Sequence, residues 1–160
     1  MRKLLFCLFA ISFVLCGCGE DSDSKEHSVL INVGFKYYEG GKEEIASPSL
    51  VQLYDYSLAK DFDKVKSVTS MWDSYQITLS DGTKIKPTYE SDTFSGINTL
   101  ENIKDGKYLA TVFYKPDGFN WGFSFYYGYK VIDVNSKNHL KLYNCTFMSG
   151  TENSGKFIEF

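Results

Sequence analysis

The chain has 160 residues, 17 Lys and Arg against 20 Asp and Glu, and an unusually high aromatic share of 17%. A net charge of −3 without any cluster of basic residues excludes nucleic acid and anionic lipid headgroups as partners, since both are bound through grouped Lys and Arg. The length suits one domain with a genuine core.

Arg2 and Lys3 precede the apolar run 4–15, and small Gly17 stands before Cys18. This is the three-part layout of a secretory signal, and the run is too short to span a membrane as a helix. Ending in Leu15-Cys16-Gly17-Cys18, the segment resembles the lipobox of bacterial lipoproteins. That resemblance implies acylation of Cys18 as the first mature residue and a membrane partner reached through lipid. Directly after it, Glu20, Asp21 and Asp23 place three carboxylates within five positions. This run is similar to the acidic export signal of surface lipoproteins of the Bacteroidetes class, which implies display on the outer face of the outer membrane. Read from composition alone, the same segment is a solvated linker. Residues 1–17 are thus a signal peptide, 18–27 a flexible linker and 28–160 the domain. Removal of the signal leaves 15 basic and 20 acidic residues, a net charge of −5.

Of four cysteines only Cys18 and Cys145 survive processing, and with Cys18 acylated no disulfide within the chain can form. Cys145 reads as a small buried residue in a strand.

Within the domain, Val29, Ile31, Val33, Phe35 and Tyr37 alternate with more polar positions, a period of two that predicts a strand with one apolar face. Glu39-Gly40-Gly41-Lys42 ends it. A second strand is expected over 50–56, with Val51 and Leu53 sharing a face, and Leu58, Phe62 and Val65 fall at the spacing of one or two helical turns. Asp81-Gly82 between apolar stretches is a strong hairpin signal, because both residues tolerate positive φ. Its return strand covers 84–89, where Pro87 indicates an edge or strand end. Strands follow over 93–100, 108–114, within 119–134, over 139–147 and over 156–160. Tyr108, Ala110, Val112 and Tyr114 line one face of the second of these regions.

Eight or nine short strands with closely spaced turns and no sustained helical period predict an all-β fold, an antiparallel β-sandwich. The patterns Val51-Gln52-Leu53-Tyr54, Leu100-Glu101-Asn102-Ile103 and Gly106-Lys107-Tyr108 resemble prealbumin-like sandwich modules such as carboxypeptidase regulatory-like domains. Those modules are mostly non-catalytic, which implies a fold and little about activity.

In 119–129 every odd position is aromatic, so six rings line one side of a continuous strand and form core. On the other side Gly122 and Gly128 leave the backbone bare, and Tyr126 is expected to stand clear beside Asn120 and Ser124 as a flat polar-aromatic surface for a sugar or a protein. Tyr126, Trp121 and Trp72 are the candidate ligand-binding residues.

Catalytic patterns are missing. Gly122-Phe123-Ser124-Phe125-Tyr126 lacks the closing glycine of a nucleophile elbow, His27 belongs to the linker and His139 to a strand start, and no zinc spacing occurs. Asp61-Phe62-Asp63 lacks the twelve-residue calcium-loop pattern and reads as a solvated turn. A pair of catalytic carboxylates is a three-dimensional quantity that a sequence does not display. The expectation is a binding or accessory module for a glycan or protein, without cofactor or metal. An envelope assembly subunit lacking its own ligand is the alternative.

Overall fold

The computed structural model describes residues 26–60, 65–69, 76–79, 81–91, 95–116, 126–135, 137, 139–150 and 158–160. The lipobox and the acidic run lie outside them. The described chain is mostly strand: β1 (His27–Lys36), β2 (Glu44–Ile45), β3 (Ser49–Asp55), β4 (Val65–Thr69), β5 (Gln76–Leu79), β6 (Lys84–Ile85), β7 (Tyr89–Glu90), β8 (Ile97–Ile103), β9 (Gly106–Tyr114), β10 (Tyr126–Val134), β11 (Leu140–Met148) and β12 (Ile158–Glu159). A single helical turn, α1 (Tyr56–Ala59), follows β3.

The first strand is where alternation decides structure most clearly. His27, Val29, Ile31, Val33 and Phe35 are buried, while Ser28, Leu30, Asn32 and Lys36 are half-buried on the other side. β1 is the middle of the first sheet: β11 pairs along one of its sides, and β8 and β2 share the other. The second sheet runs β12-β10-β9-β3-β7. Between them lies the main core, to which the first sheet contributes Val29, Ile31, Val33, Phe35, Leu100, Ile103, Cys145 and Phe147 and the second Val51, Leu53, Tyr108, Ala110, Val112, Tyr114, Tyr126, Ile132 and Val134. The expected all-β sandwich is present.

Its sheets are mixed, not purely antiparallel. β1 and β11 run parallel over nine residue pairs, and β10 and β12 pair in parallel as well. Parallel neighbours need a long connection, and nothing in a strand's own residues announces one. The connection from β8 to β9 passes from one sheet to the other across a tight corner. There Asn102 takes φ 58°, Lys104 N–H donates to Tyr89 Oη and Tyr108 Oη donates to Lys104 O.

A small third sheet, β4-β5-β6, is closed by the Asp81-Gly82 turn. Gly82 has φ 89°, and Thr83 N–H donates to Asp81 Oδ1 at 2.8 Å, which holds the Asp81 carboxyl below its ordinary range. Ile77 and Ile85 of this sheet join Tyr54, Ala59 and Leu109 in a satellite cluster on the outer side of the second sheet. Of the helical spacing of Leu58, Phe62 and Val65, the described residues include the one turn of α1, capped by Asp55 Oδ1, which accepts from Ser57 N–H, while Phe62 lies outside them. Leu58 is exposed, and Val65 opens β4.

Candidate functional site

Two short strands sharing one side of β1 leave a gap between them, and that gap makes a cleft. β8 pairs with residues 27–32 and β2 with Gly34 and Phe35. Val33 bridges the two, its N–H donating to Gly96 O at 2.7 Å and its carbonyl accepting from Ala46 N–H at 2.9 Å. Above this junction lies a cleft of about 290 Å³, with Asn32, Gly34 and Asn144 as its floor and Glu43, Glu44, Ile45 and Ile97 around it.

Neighbouring side chains approach two of these glycines closely. A Cβ on Gly34 would lie 2.2 Å from the Glu43 carboxylate, and one on Gly96 would lie 2.0 Å from Ile45 Cγ2. The side chains of the β2 arm therefore rest directly on bare backbone. Lys36 Nζ holds Glu43 at 3.6 Å, and Asn32 Nδ2 donates to Asn144 Oδ1 at 3.2 Å across the parallel pair. The floor thus offers an amide pair, and the rim offers carboxylates and two exposed aliphatics.

The β1–β2 hairpin that walls this cleft carries Tyr37 and Tyr38 at its tip, 64% and 69% exposed. Gly40 takes φ 77° there, and Gly41 N–H returns to Tyr38 O at 3.0 Å. Tyr37 packs edge-on against core Phe35 at 5.1 Å, which anchors one ring of the pair. Amides, carboxylates, aliphatic edges and exposed rings make a surface suited to hydroxyl-rich or extended polar ligands.

A second cleft, about 410 Å³, lies beside β8 and is lined by Tyr89, Glu90, Ile97, Thr99, Glu101 and Asn102, with Leu100 behind. Glu90 Oε2 accepts from buried Gln52 Nε2 at 2.5 Å, and Gln52 Oε1 in turn accepts from Tyr54 Oη at 2.9 Å. Burial, with the negative charge of Glu90 adding to it, raises the Tyr54 phenol above its ordinary value. Ile97 lies on the border of both clefts.

No protein-family model and no curated protein matches the chain. Among solved structures it is similar to a Pseudomonas aeruginosa protein provisionally described as carbohydrate binding. The two share 11% identity over 77% of this chain and 89% of that one, with a TM-score of 0.42. At that distance neither residues nor ligand transfer.

Of the three residues singled out from the sequence for ligand binding, Tyr126 is among the described residues. Trp72 and Trp121, like Asn120, Ser124, Gly122 and the Asp61-Phe62-Asp63 turn, lie outside the described residues. Tyr126 is corrected: it is 2% exposed and packs in the main core against Phe35, Tyr114 and Phe147 at 5.3, 5.7 and 5.5 Å. The assignment of faces is reversed at this end of the strand. Tyr126 pairs with inward-facing Tyr114, whereas Tyr127 pairs with outward-facing Phe113 and Tyr129 with Thr111. Gly128 is also an inner position, where a Cβ would meet Cys145 Sγ at 2.8 Å.

His27 is not linker. It opens β1 with its side chain fully buried, its Nε2 2.5 Å from Asp105 Oδ1 and its ring stacked on His139 at 5.6 Å. Asp105 is 78 positions away in sequence, too far for local pattern to reveal the partner. Among the described residues no three His, Cys, Asp or Glu side chains are arranged to hold a metal ion. Burial pushes the Cys145 thiol up to about 12, with Lys130 opposing, so it is protonated at neutral pH.

The cleft and its tyrosine pair were missed, although one signal was available. Adjacent Tyr37 and Tyr38 cannot both face the core of a strand, and a Gly-Gly turn follows them at once.

Proposed function

We propose that the protein is a lipid-anchored, surface-displayed binding module without catalytic chemistry, and that it holds a glycan or an extended protein ligand at the β1–β2 cleft. Anchoring rests on the lipobox-like Leu15-Cys16-Gly17-Cys18, and display on Glu20, Asp21 and Asp23. The observation that carries the binding reading is the outer side of the first sheet. There Asn32 and Asn144, Glu43 and Glu44 surround bare Gly34, and the bordering hairpin exposes Tyr37 and Tyr38. Polar side chains fixed by a rigid sheet, with exposed rings beside them, are what sugar rings require: hydrogen bonds at their rims and an apolar platform under their faces. The glycan is favoured over protein because the cleft is small and its floor is amide and glycine.

Retention of the mature protein on a glycan array tests this. Asn32→Ala, Glu44→Gln and Tyr38→Ala should each weaken the strongest signals, while Val131→Ala on the second sheet leaves them unchanged. Equal retention by all four variants would refute the site.

A further inference from the structure

The two clefts meet at one side chain. Ile97, 52% exposed, borders both. It pairs with Asn32, and Asn32 pairs with Asn144, so Ile97 stands in the same cross-strand row as the amides on the floor of the first cleft. Across three strands that row covers about 10 Å. From Ile97 the second cleft follows β8 past Thr99 to Glu101, about 13 Å for four residues, with Tyr89 and Glu90 of β7 as its far wall. The first cleft, about 290 Å³, falls just short of the roughly 300–1,000 Å³ usual for a ligand site. Joined to the second, about 410 Å³, it lies well inside that range.

We infer that the two clefts are one groove, bent over Ile97, that holds a linear uncharged glycan longer than a disaccharide. The inference rests on the reading that the first cleft holds a glycan, and it adds a second subsite, a minimum length and a charge rule. Length follows from the span, which a short sugar cannot fill. At the bend Ile97 offers an aliphatic edge to the C–H face of a sugar ring. Polar groups stand on both sides of it, Asn32, Glu44 and Asn144 in the first cleft and Thr99, Glu101 and Asn102 in the second. An apolar contact between a few fixed polar groups is the usual composition of a small-ligand site.

The charge rule follows from the lining. Glu43 and Glu44 line the first cleft, Glu90 and Glu101 the second, and no Lys or Arg lines either among the described residues. Lys36 holds Glu43, and Gln52 donates to Glu90, which leaves Glu44 in one cleft and Glu101 in the other to face a ligand. Sugar hydroxyls donate to carboxylates in charge-assisted hydrogen bonds. A chain bearing carboxylates of its own meets like charge at both subsites, and such a repulsive element is how a site rejects a competitor of the same shape. An added peptide strand is poorly accommodated at the bend. Ser95 Oγ accepts from Ile97 N–H at 3.2 Å and donates to Ile97 O, so the backbone there is already engaged and recognition falls to side chains.

The test measures binding of the mature protein to linear glucose, mannose and galactose chains, each as disaccharide and hexasaccharide, and each hexasaccharide also with its primary hydroxyls oxidised to carboxylates. The hexasaccharide of the best-retained backbone should bind about tenfold more tightly than its disaccharide, the worth of one or two further hydrogen bonds. Its carboxylated form should bind about fivefold more weakly than the neutral one. Thr99→Val with Glu101→Ala should bring the ratio between the two lengths close to one, and Glu44→Gln with Glu101→Gln should bring the ratio between neutral and carboxylated chains close to one. Each readout is a ratio within one variant, so a loss of folded protein does not imitate it. Equal binding of both lengths that Asn32→Ala still abolishes would leave the first cleft as a glycan site and overturn the groove. A carboxylated chain bound as tightly as the neutral one, or ratios unmoved by the variants, would also overturn the inference, and retention of no chain would overturn it together with the reading it rests on.

Discussion

Replacing Tyr126 by alanine separates a core strand from a recognition surface. The ring is 2% exposed and sits among Phe35, Tyr114 and Phe147 with centroids 5.3 to 5.7 Å away. A buried aromatic side chain removes 150–250 Å² from water, which at about 25 cal/mol per Å² is about 4–6 kcal/mol. Part of this is regained because alanine keeps its own methyl and neighbours relax into the space. Measured truncations of buried aromatics fall at about 3–5 kcal/mol. We expect about 4 kcal/mol, which is a large fraction of the 5–15 kcal/mol that holds a domain of this size together. Urea unfolding of the mature chain, followed by tryptophan fluorescence, gives the value as a fall in midpoint at unchanged slope. Tyr126→Phe keeps the ring contacts and should stay within about 1.5 kcal/mol of wild type, the worth of a hydroxyl. A double-mutant cycle with Phe147→Ala should show a coupling of about 0.5–3 kcal/mol, because the rings touch. A loss below about 1 kcal/mol for Tyr126→Ala would refute the reasoning, for it would mean a ring that water already reaches.

Further outcomes concern the same packing and the leader. Gly128→Ala should destabilise the domain by about 1–3 kcal/mol through its clash with Cys145 Sγ, and Cys145→Ala added to it should recover part of the loss in the same unfolding assay. The Cys145 thiol should not react with a disulfide reagent at pH 8 until urea unfolds the chain. Since its folded value lies above the ordinary 9.0, the stability this burial contributes is complete below pH 9 and is lost as pH rises from 9 toward 12, measurable as a falling unfolding midpoint that Cys145→Ala flattens. Cys18→Ala should abolish fatty-acid labelling and release the protein from membranes, while Ala at Glu20, Asp21 and Asp23 together should keep labelling but remove access to protease added to whole cells.

What the sequence displayed, and what it hid, follows from how many faces of each strand are covered. β1 is buried on one side only, so its alternation was readable residue by residue. The Asp81-Gly82 hairpin was readable because the turn demands positive φ whatever surrounds it. In β10 both sides are covered: Tyr126 is 2% and Tyr127 8% exposed, the first against the main core and the second beside Phe113 on the outer side. Aromatics that alternate along such a strand carry no information about which side is inward, and the expected faces came out reversed. The cleft was hidden for another reason. It is assembled from Asn32, Glu43, Gly96 and Asn144, four segments joined only by the sharing of β1 between β2 and β8 and by its parallel pairing with β11. His27 illustrates the same limit, since an acidic linker and a buried strand start differ here only through Asp105 and His139.

Hydroxyl-radical footprinting of the mature protein, with and without its best-retained array glycan, tests the binding site most directly. The account predicts that the glycan lowers modification of Tyr37, Tyr38, Ile45 and Ile97 together, while Leu58 and Val131 react equally in both samples. Unchanged modification at the hairpin and the cleft, or protection confined to Leu58 and Val131, would contradict it.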